Sequence, residues 1–190
     1  MSGWWLASYL VLWGLLLATL TVLLVVLRQL GLIYLRTQGG GLKLDEGPAV
    51  GAVVNPFDEL DDAGREVRFP SAEAELNVLL FASPGCSICK DALRGVPVVR
   101  RDYNAHVVVL SQGSPSENEE LRNLLDGSAP YVTSLTRQKA MGVESIPFGI
   151  ATNRTGVVLD KRVISNVVDL EELLESAKKA SLDAPQAVPA

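Results

Sequence analysis

Leu76-Asn-Val-Leu-Leu-Phe-Ala-Ser-Pro-Gly-Cys-Ser-Ile-Cys-Lys90 carries the only two cysteines of the chain, where an apolar run gives way to a helix-like segment. Leu76 to Ala82 is apolar, partly β-branched or aromatic, and too short for an independent helix, so it reads as a buried strand. Ser83-Pro84-Gly85 forms the turn that follows, and Cys86 falls in the first turn of the next helix. Unpaired backbone N–H groups and the positive end of the helix dipole favour a thiolate there, below the free thiol value near ~8.5. Cys86 is the expected attacking sulfur. Cys89, one turn on and on the same side of the helix, is placed to close or resolve a mixed disulfide. Lys90 either adds positive field or, as its position favours, points to solvent.

Other chemistries for two cysteines fit less well. A zinc site needs four ligands, and the single histidine, His106, lies in the strand-like His106-Val-Val-Val-Leu110. No metal and no cofactor are expected. Buried cysteines also serve as small apolar side chains, but two at this spacing after a strand and turn point to dithiol redox chemistry.

Outward from this stretch, the chain reads as one α/β domain behind an apolar leader. Gly3 to Leu27 has no charged residue, and about 20 such residues cross a bilayer as a helix. Without Lys or Arg before Arg28, and with Val25-Val-Leu27 a poor cleavage site, the segment is expected to remain as a single-pass anchor over 1–35. Trp4, Trp5, Tyr9 and Trp13 suit an interfacial belt, and Leu30 to Leu35 either extends the span or lies along the interface. Residues 36–46, with Gly39-Gly-Gly41, are expected as a flexible linker, 47–180 as the domain, and 181–190 as a disordered tail. All 22 acidic residues lie at Asp45 or later, so the part after Arg36 carries a net charge of −7. That balance excludes a nucleic-acid partner. Arg28, Arg36 and Lys43 follow the span and no basic residue precedes it, which by the positive-inside rule leaves the domain in the cytoplasm.

Asn55 to Leu60, Asp61-Asp-Ala-Gly64 and Arg65 to Phe69 read as strand, turn and strand. The cysteine helix runs to about Asp102, kinked or restarted at Gly95 and Pro97. After the strand at 106–110, Ser116-Glu-Asn-Glu119 resembles a capping box opening a helix through Leu125. A short strand at 130–133 and a helix at 136–141 follow. Asn153-Arg-Thr-Gly156 joins strands at 147–152 and 157–163 in a hairpin. A last helix over 168–179 places Leu170, Leu173, Leu174 and Ala177 on one face. This order predicts a central mixed sheet flanked by helices.

Strand, Cys-x-x-Cys at a helix start, and Ile146-Pro147 before a late hairpin together resemble the thioredoxin superfamily. Over nearly the whole chain the resemblance is to membrane-anchored TlpA-type disulfide reductases, and among them to methylamine-utilisation accessory proteins of the MauD type. It is carried by Leu27-Arg-Gln-Leu-Gly31, Asp45-Glu-Gly-Pro-Ala-Val-Gly51, Leu79 to Lys90, Tyr131-Val132 and the ending 166–182. The resemblance implies a thioredoxin-like fold and a cis proline at Pro147 facing the disulfide. Ile146 and Pro147 would then pair with a client backbone and keep metal from the thiols. It also implies catalysis by Cys86 and Cys89, a protein client with cysteines or disulfides, an electron donor (transmembrane or soluble), and a domain outside the cytoplasmic membrane, against the basic-residue count. The client of the accessory proteins implies maturation of an exported enzyme.

Three positions depart from the family pattern. Leu80 stands where many thioredoxins bury an acid, Ala92 stands where many tethered reductases have Glu, and the helix proline comes late. Asp91 would point elsewhere, leaving water to take the proton from Cys89. A peroxiredoxin-like thiol peroxidase is the rival enzyme reading, on the 55–69 opening and Ser83-Pro84-Gly85-Cys86. A tethered assembly factor using the same groove without redox cycling is the non-enzymatic one.

Overall fold

The computed structural model describes residues 3–38 and 46–183, which fall in two units, Met1–Leu42 and Lys43–Ala190. The first holds one helix, α1 (Gly3–Gln38), which continues past the expected end of the anchor at 35. Its stretch Gly3–Leu27, 25 residues, is long and apolar enough to cross a membrane. The expected linker starts inside this helix at 36–38, and its glycines at 39–41 lie outside the described residues.

The second unit begins with an antiparallel ribbon of β1 (Phe57–Leu60) and β2 (Glu66–Phe69). There follow β3 (Asn77–Ala82), α2 (Ser87–Tyr103), β4 (His106–Ser111), α3 (Glu119–Leu124), β5 (Tyr131–Thr133), α4 (Leu135–Ala140), β6 (Phe148–Thr152), β7 (Val158–Val163) and α5 (Val167–Asp183). Five strands form one sheet in the order β5-β4-β3-β6-β7, with β3, β4 and β5 parallel and β6 and β7 antiparallel to their neighbours.

β3 is central and buried along its whole length, which explains its continuous apolar run: both faces of the sheet are covered. Alternate residues serve opposite cores. Val78, Leu80 and Ala82 join Leu93, Val96 and Val99 of α2 and Leu170, Leu173 and Leu174 of α5. Leu79 and Phe81 face the other way, with Val108, Leu110 and Ile150, under Phe57, Val67 and Phe69 of the ribbon. Phe57 and Phe69 stack with ring centroids 5.6 Å apart.

The helices differ in detail from their sequence expectations. α2 is continuous through Pro97, which lies on its exposed side, and does not restart there. Gly95 is buried instead, against the first residue of α5: a Cβ on Gly95 would sit 2.9 Å from Val167 Cγ2. Ser116 does not cap α3. Asn118 occupies the cap position without a side-chain cap bond, and in place of the expected Ser116–Glu119 box the Glu117 carboxylate takes hydrogen bonds from the backbone and hydroxyl of Ser114, closing the preceding turn. α5 extends to Asp183, past the expected start of the tail at 181, and 184–190 lie outside the described residues.

Candidate active site

The carboxyl ends of β3, β4 and β5 and the start of β6 lie at one end of the sheet, the place where open α/β sheets bind their ligands. β3 ends at Ala82, and the chain reverses through Ser83-Pro84-Gly85, with Gly85 at φ +77°, a conformation that favours glycine. Cys86 is the N-cap of α2, just outside the expected first turn, and the backbone N–H of Cys89 donates to its Sγ at 3.1 Å.

Cys86 and Cys89 form a disulfide with Cα atoms 5.3 Å apart. Their surroundings differ. Cys86 is half-buried at the surface, whereas Cys89 is fully buried among Leu80, Ala92 and Leu93. Between them Ser87 and Ile88 are exposed. The accessible sulfur thus sits over the unpaired N–H groups of a helix start, and the enclosed one is reached through it.

Lys90 lies at the surface, as its position favours, and there its Nζ lies 2.5 Å from Glu120 Oε1, tying α2 to α3. Asp91 faces away from the cysteines, as expected, and pairs with Arg94 at 2.6 Å. Among the described residues the buried carboxylates are Asp61, in the ribbon turn, and Asp160. Asp160 pairs across the sheet with Ala151 and through it with Val78, toward the end of β3 away from the cysteines. The apolar setting of Cys89 matches Leu80 and Ala92.

The Ile146–Pro147 peptide is cis. The register Phe81↔Phe148 brings Pro147 beside Ala82, at the sheet end that carries the disulfide. Ile146 packs against the same core cluster as Cys86. A second cis bond, Phe69–Pro70, closes the ribbon far from the cysteines and was not foreseen.

Two further groups at this end escaped the sequence reading. The first is a buried polar cluster: the Ser111 and Tyr131 hydroxyls both donate to Asn118 Oδ1 at 2.8 Å, and Asn118 Nδ2 donates to the carbonyls of Gln112 and Ser114. Gln112 Nε2 in turn donates to Ser83 Oγ at 3.0 Å, bracing the turn before Cys86. Burial pushes the Tyr131 hydroxyl up to about 12, so it remains a donor. The second is Glu46, whose Oε2 accepts from the backbone N–H groups of Glu144 and Ser145, next to Ile146. In sequence, Asn118 looked like part of a helix cap and Glu46 like linker.

A thioredoxin fold with a disulfide joining a helix-start cysteine to a buried one defines a thiol–disulfide oxidoreductase, here with an N-terminal helix apolar enough to span a bilayer. No family model matches the chain. The methylamine utilization protein MauD of Paracoccus denitrificans is 32% identical over 183 residues, 93% of this chain and 90% of the relative. MauD of Methylorubrum extorquens is 32% identical over 176 residues, 90% of this chain and 86% of the relative. The chain belongs to the MauD family. Among solved structures, a DsbE-type thiol:disulfide interchange protein from Chlorobium tepidum superposes with a TM-score of 0.60 at 17% identity, covering 73% of this chain and 99% of the other. Peroxidoxin BcpB from Mycobacterium tuberculosis gives 0.58 at 15%, covering 68% and 96%. At these identities the likeness concerns the fold.

Proposed function

We propose that this protein exchanges disulfides with an exported client protein at the outer face of the cytoplasmic membrane, held there by α1 as a single-pass anchor. The observation that carries the reading is the asymmetric pair: an accessible Cys86 at a helix start bonded to an enclosed Cys89, beside cis Ile146–Pro147.

In the reducing direction, the Cys86 thiolate attacks one sulfur of a client disulfide, and the other leaves as a thiolate that takes a proton. Cys89 then attacks Cys86 Sγ, releasing the second client thiol and closing the Cys86–Cys89 disulfide. Two electrons pass to the client, and a dithiol donor, transmembrane or soluble, restores the pair. The reverse sequence oxidises a client dithiol. With no carboxylate beside Cys89 among the described residues, water accepts its proton. Ile146, the residue before the cis proline, offers its backbone to an extended client segment, while Pro147, whose carbonyl accepts the N–H of Ile164 at 3.0 Å, holds that edge in place. Pro84 and Gly85 set the turn that presents Cys86.

The resemblance to TlpA-type reductases supports the outer face, although Arg28, Arg36 and Lys43 favour the other side. The names of the relatives place them in methylamine utilization; the reading carries over the class of client, an exported enzyme matured through its disulfides, and not the amine.

Trapping tests the reading. The full chain with Cys89→Ala should accumulate client proteins on Cys86 in adducts that dithiothreitol releases and that vanish when Cys86→Ser is added. No Cys86-linked adduct would contradict it. A double Cys→Ser variant that still supports its partner would point to the assembly-factor reading, and peroxide turnover through a sulfenic acid at Cys86 to the peroxidase one.

A further inference from the structure

We infer that Glu46 is a positioning residue for the client-docking loop: its carboxylate fixes the backbone that carries Ile146 and Pro147. The inference rests on the proposed exchange with a protein client and adds to it a residue outside the cysteine motif.

Glu46 Oε2 accepts the N–H of Glu144 at 2.7 Å and of Ser145 at 2.8 Å, so one oxygen holds two successive amides immediately before the cis pair. The strap bearing this carboxylate is itself fastened. Lys161 Nζ, from β7, donates to the carbonyl of Glu46 at 2.7 Å and more weakly to that of Gly47 at 3.3 Å. The N–H of Gly47 donates to the carbonyl of Gly142 at 2.9 Å. Gly47 has φ +69°, and a Cβ there would meet Val143 Cγ2 at 3.3 Å, so the strap lies directly on the loop 142–145.

The loop has no strand of its own between Gly142 and Phe148, and β6 restrains it only from Phe148 onward. Charge-assisted bonds from consecutive amides are strong and directional, and here they fix the peptide planes leading into Ile146. Burial raises the Glu46 carboxyl, but the hydrogen bonds from Ser145 and Glu144 and the Lys161 ammonium outweigh it and leave the group below the ordinary carboxylate range, ionised at neutral pH. Glu46 touches neither sulfur, so it acts through the loop.

Insulin reduction by the full chain in detergent, with dithiothreitol as donor, separates this role from a general one. Glu46→Ala should lower kcat/KM for insulin about tenfold, mainly through KM, a loss near 1.4 kcal/mol. The Cys86–Cys89 reduction potential and the rate of Cys86 with the small disulfide dithiobis(nitrobenzoate) should not change. Glu46→Gln should restore most of the loss, because its amide oxygen accepts the same two N–H groups. Amide exchange in the unsubstituted chain gives a measurement free of any folding defect: peptides covering 144–145 should be protected. An unsubstituted chain that turns insulin over while Glu46→Ala matches it, or rapid exchange at 144–145, would overturn the positioning role alone. A chain that cannot reduce insulin at all would count against the proposed function instead.

Discussion

Cys86 and Cys89 have the same side chain and different fates because one sits at the mouth of a helix and the other one turn inside it. The backbone N–H of Cys89 reaching Cys86 Sγ shows the field that a thiolate would meet after reduction. A second titratable residue is equally individual. His106, the only histidine, is half-buried beside the ribbon with Nε2 3.2 Å from the carbonyl of Arg68. Burial lowers its pKa below 6.5 and the nearby Arg100 lowers it further, outweighing the contact with Arg68. The folded protein therefore binds fewer protons than the unfolded chain between the two values. This contribution to stability is complete above about pH 6.5 and is lost as pH falls through the folded pKa. Urea denaturation at pH 7.5 and 5.5 should show lower stability at the acid value, and His106→Gln should flatten the difference; an undiminished slope in the variant would assign it elsewhere.

Gly95 reads as a helix defect until the neighbour of α2 is known. The glycine lets α2 and α5 meet, with Val167 filling the space of a Cβ. Gly95→Ala would gain up to about 1 kcal/mol of helix propensity and lose about 1–3 kcal/mol to overpacking against a stiff β-branched side chain, so net destabilisation is expected. Adding Val167→Ala should return part of that loss as a coupling of about 1 kcal/mol or more in a double-mutant cycle. Strict additivity would show that the close approach is not what the glycine serves. The legibility of the elements follows the same division. β3, the cysteine turn, the hairpin at Asn153–Gly156 and the apolar face of α5 were readable because each is written in a local pattern of burial or turn chemistry. Gly95 against Val167 and Glu46 against Ser145 are contacts between distant parts of the chain, and local periodicity carries no trace of them. Asn118 stands at the cap that the Ser-x-x-Glu spacing signals, but the use of its side chain is illegible for a related reason: the Tyr131 and Ser111 hydroxyls, distant in sequence or in another element, engage it instead of the helix.

As a whole the chain joins an acidic redox domain to an apolar helix, and the side of the membrane on which that domain works decides which thiols it meets. The two cysteines are the only ones in the sequence, so labelling reports on them alone. In cells treated with a reductant, a membrane-impermeant maleimide should modify Cys86 without lysis, and Cys86→Ser should abolish the fast labelling. Labelling that requires lysis would place the domain in the cytoplasm, as the basic residues after the helix suggest. Alkaline carbonate should leave the full chain in the membrane fraction; extraction would remove α1 as an anchor.

The redox claim itself is tested most directly by equilibrating the full chain against glutathione or dithiothreitol buffers and counting free thiols. The expected result is one reversible two-electron transition between about −120 and −300 mV, absent in Cys86→Ser, its position giving the direction in which the pair drives a client. A Cys86–Cys89 pair with no reversible transition anywhere in that range would contradict the account.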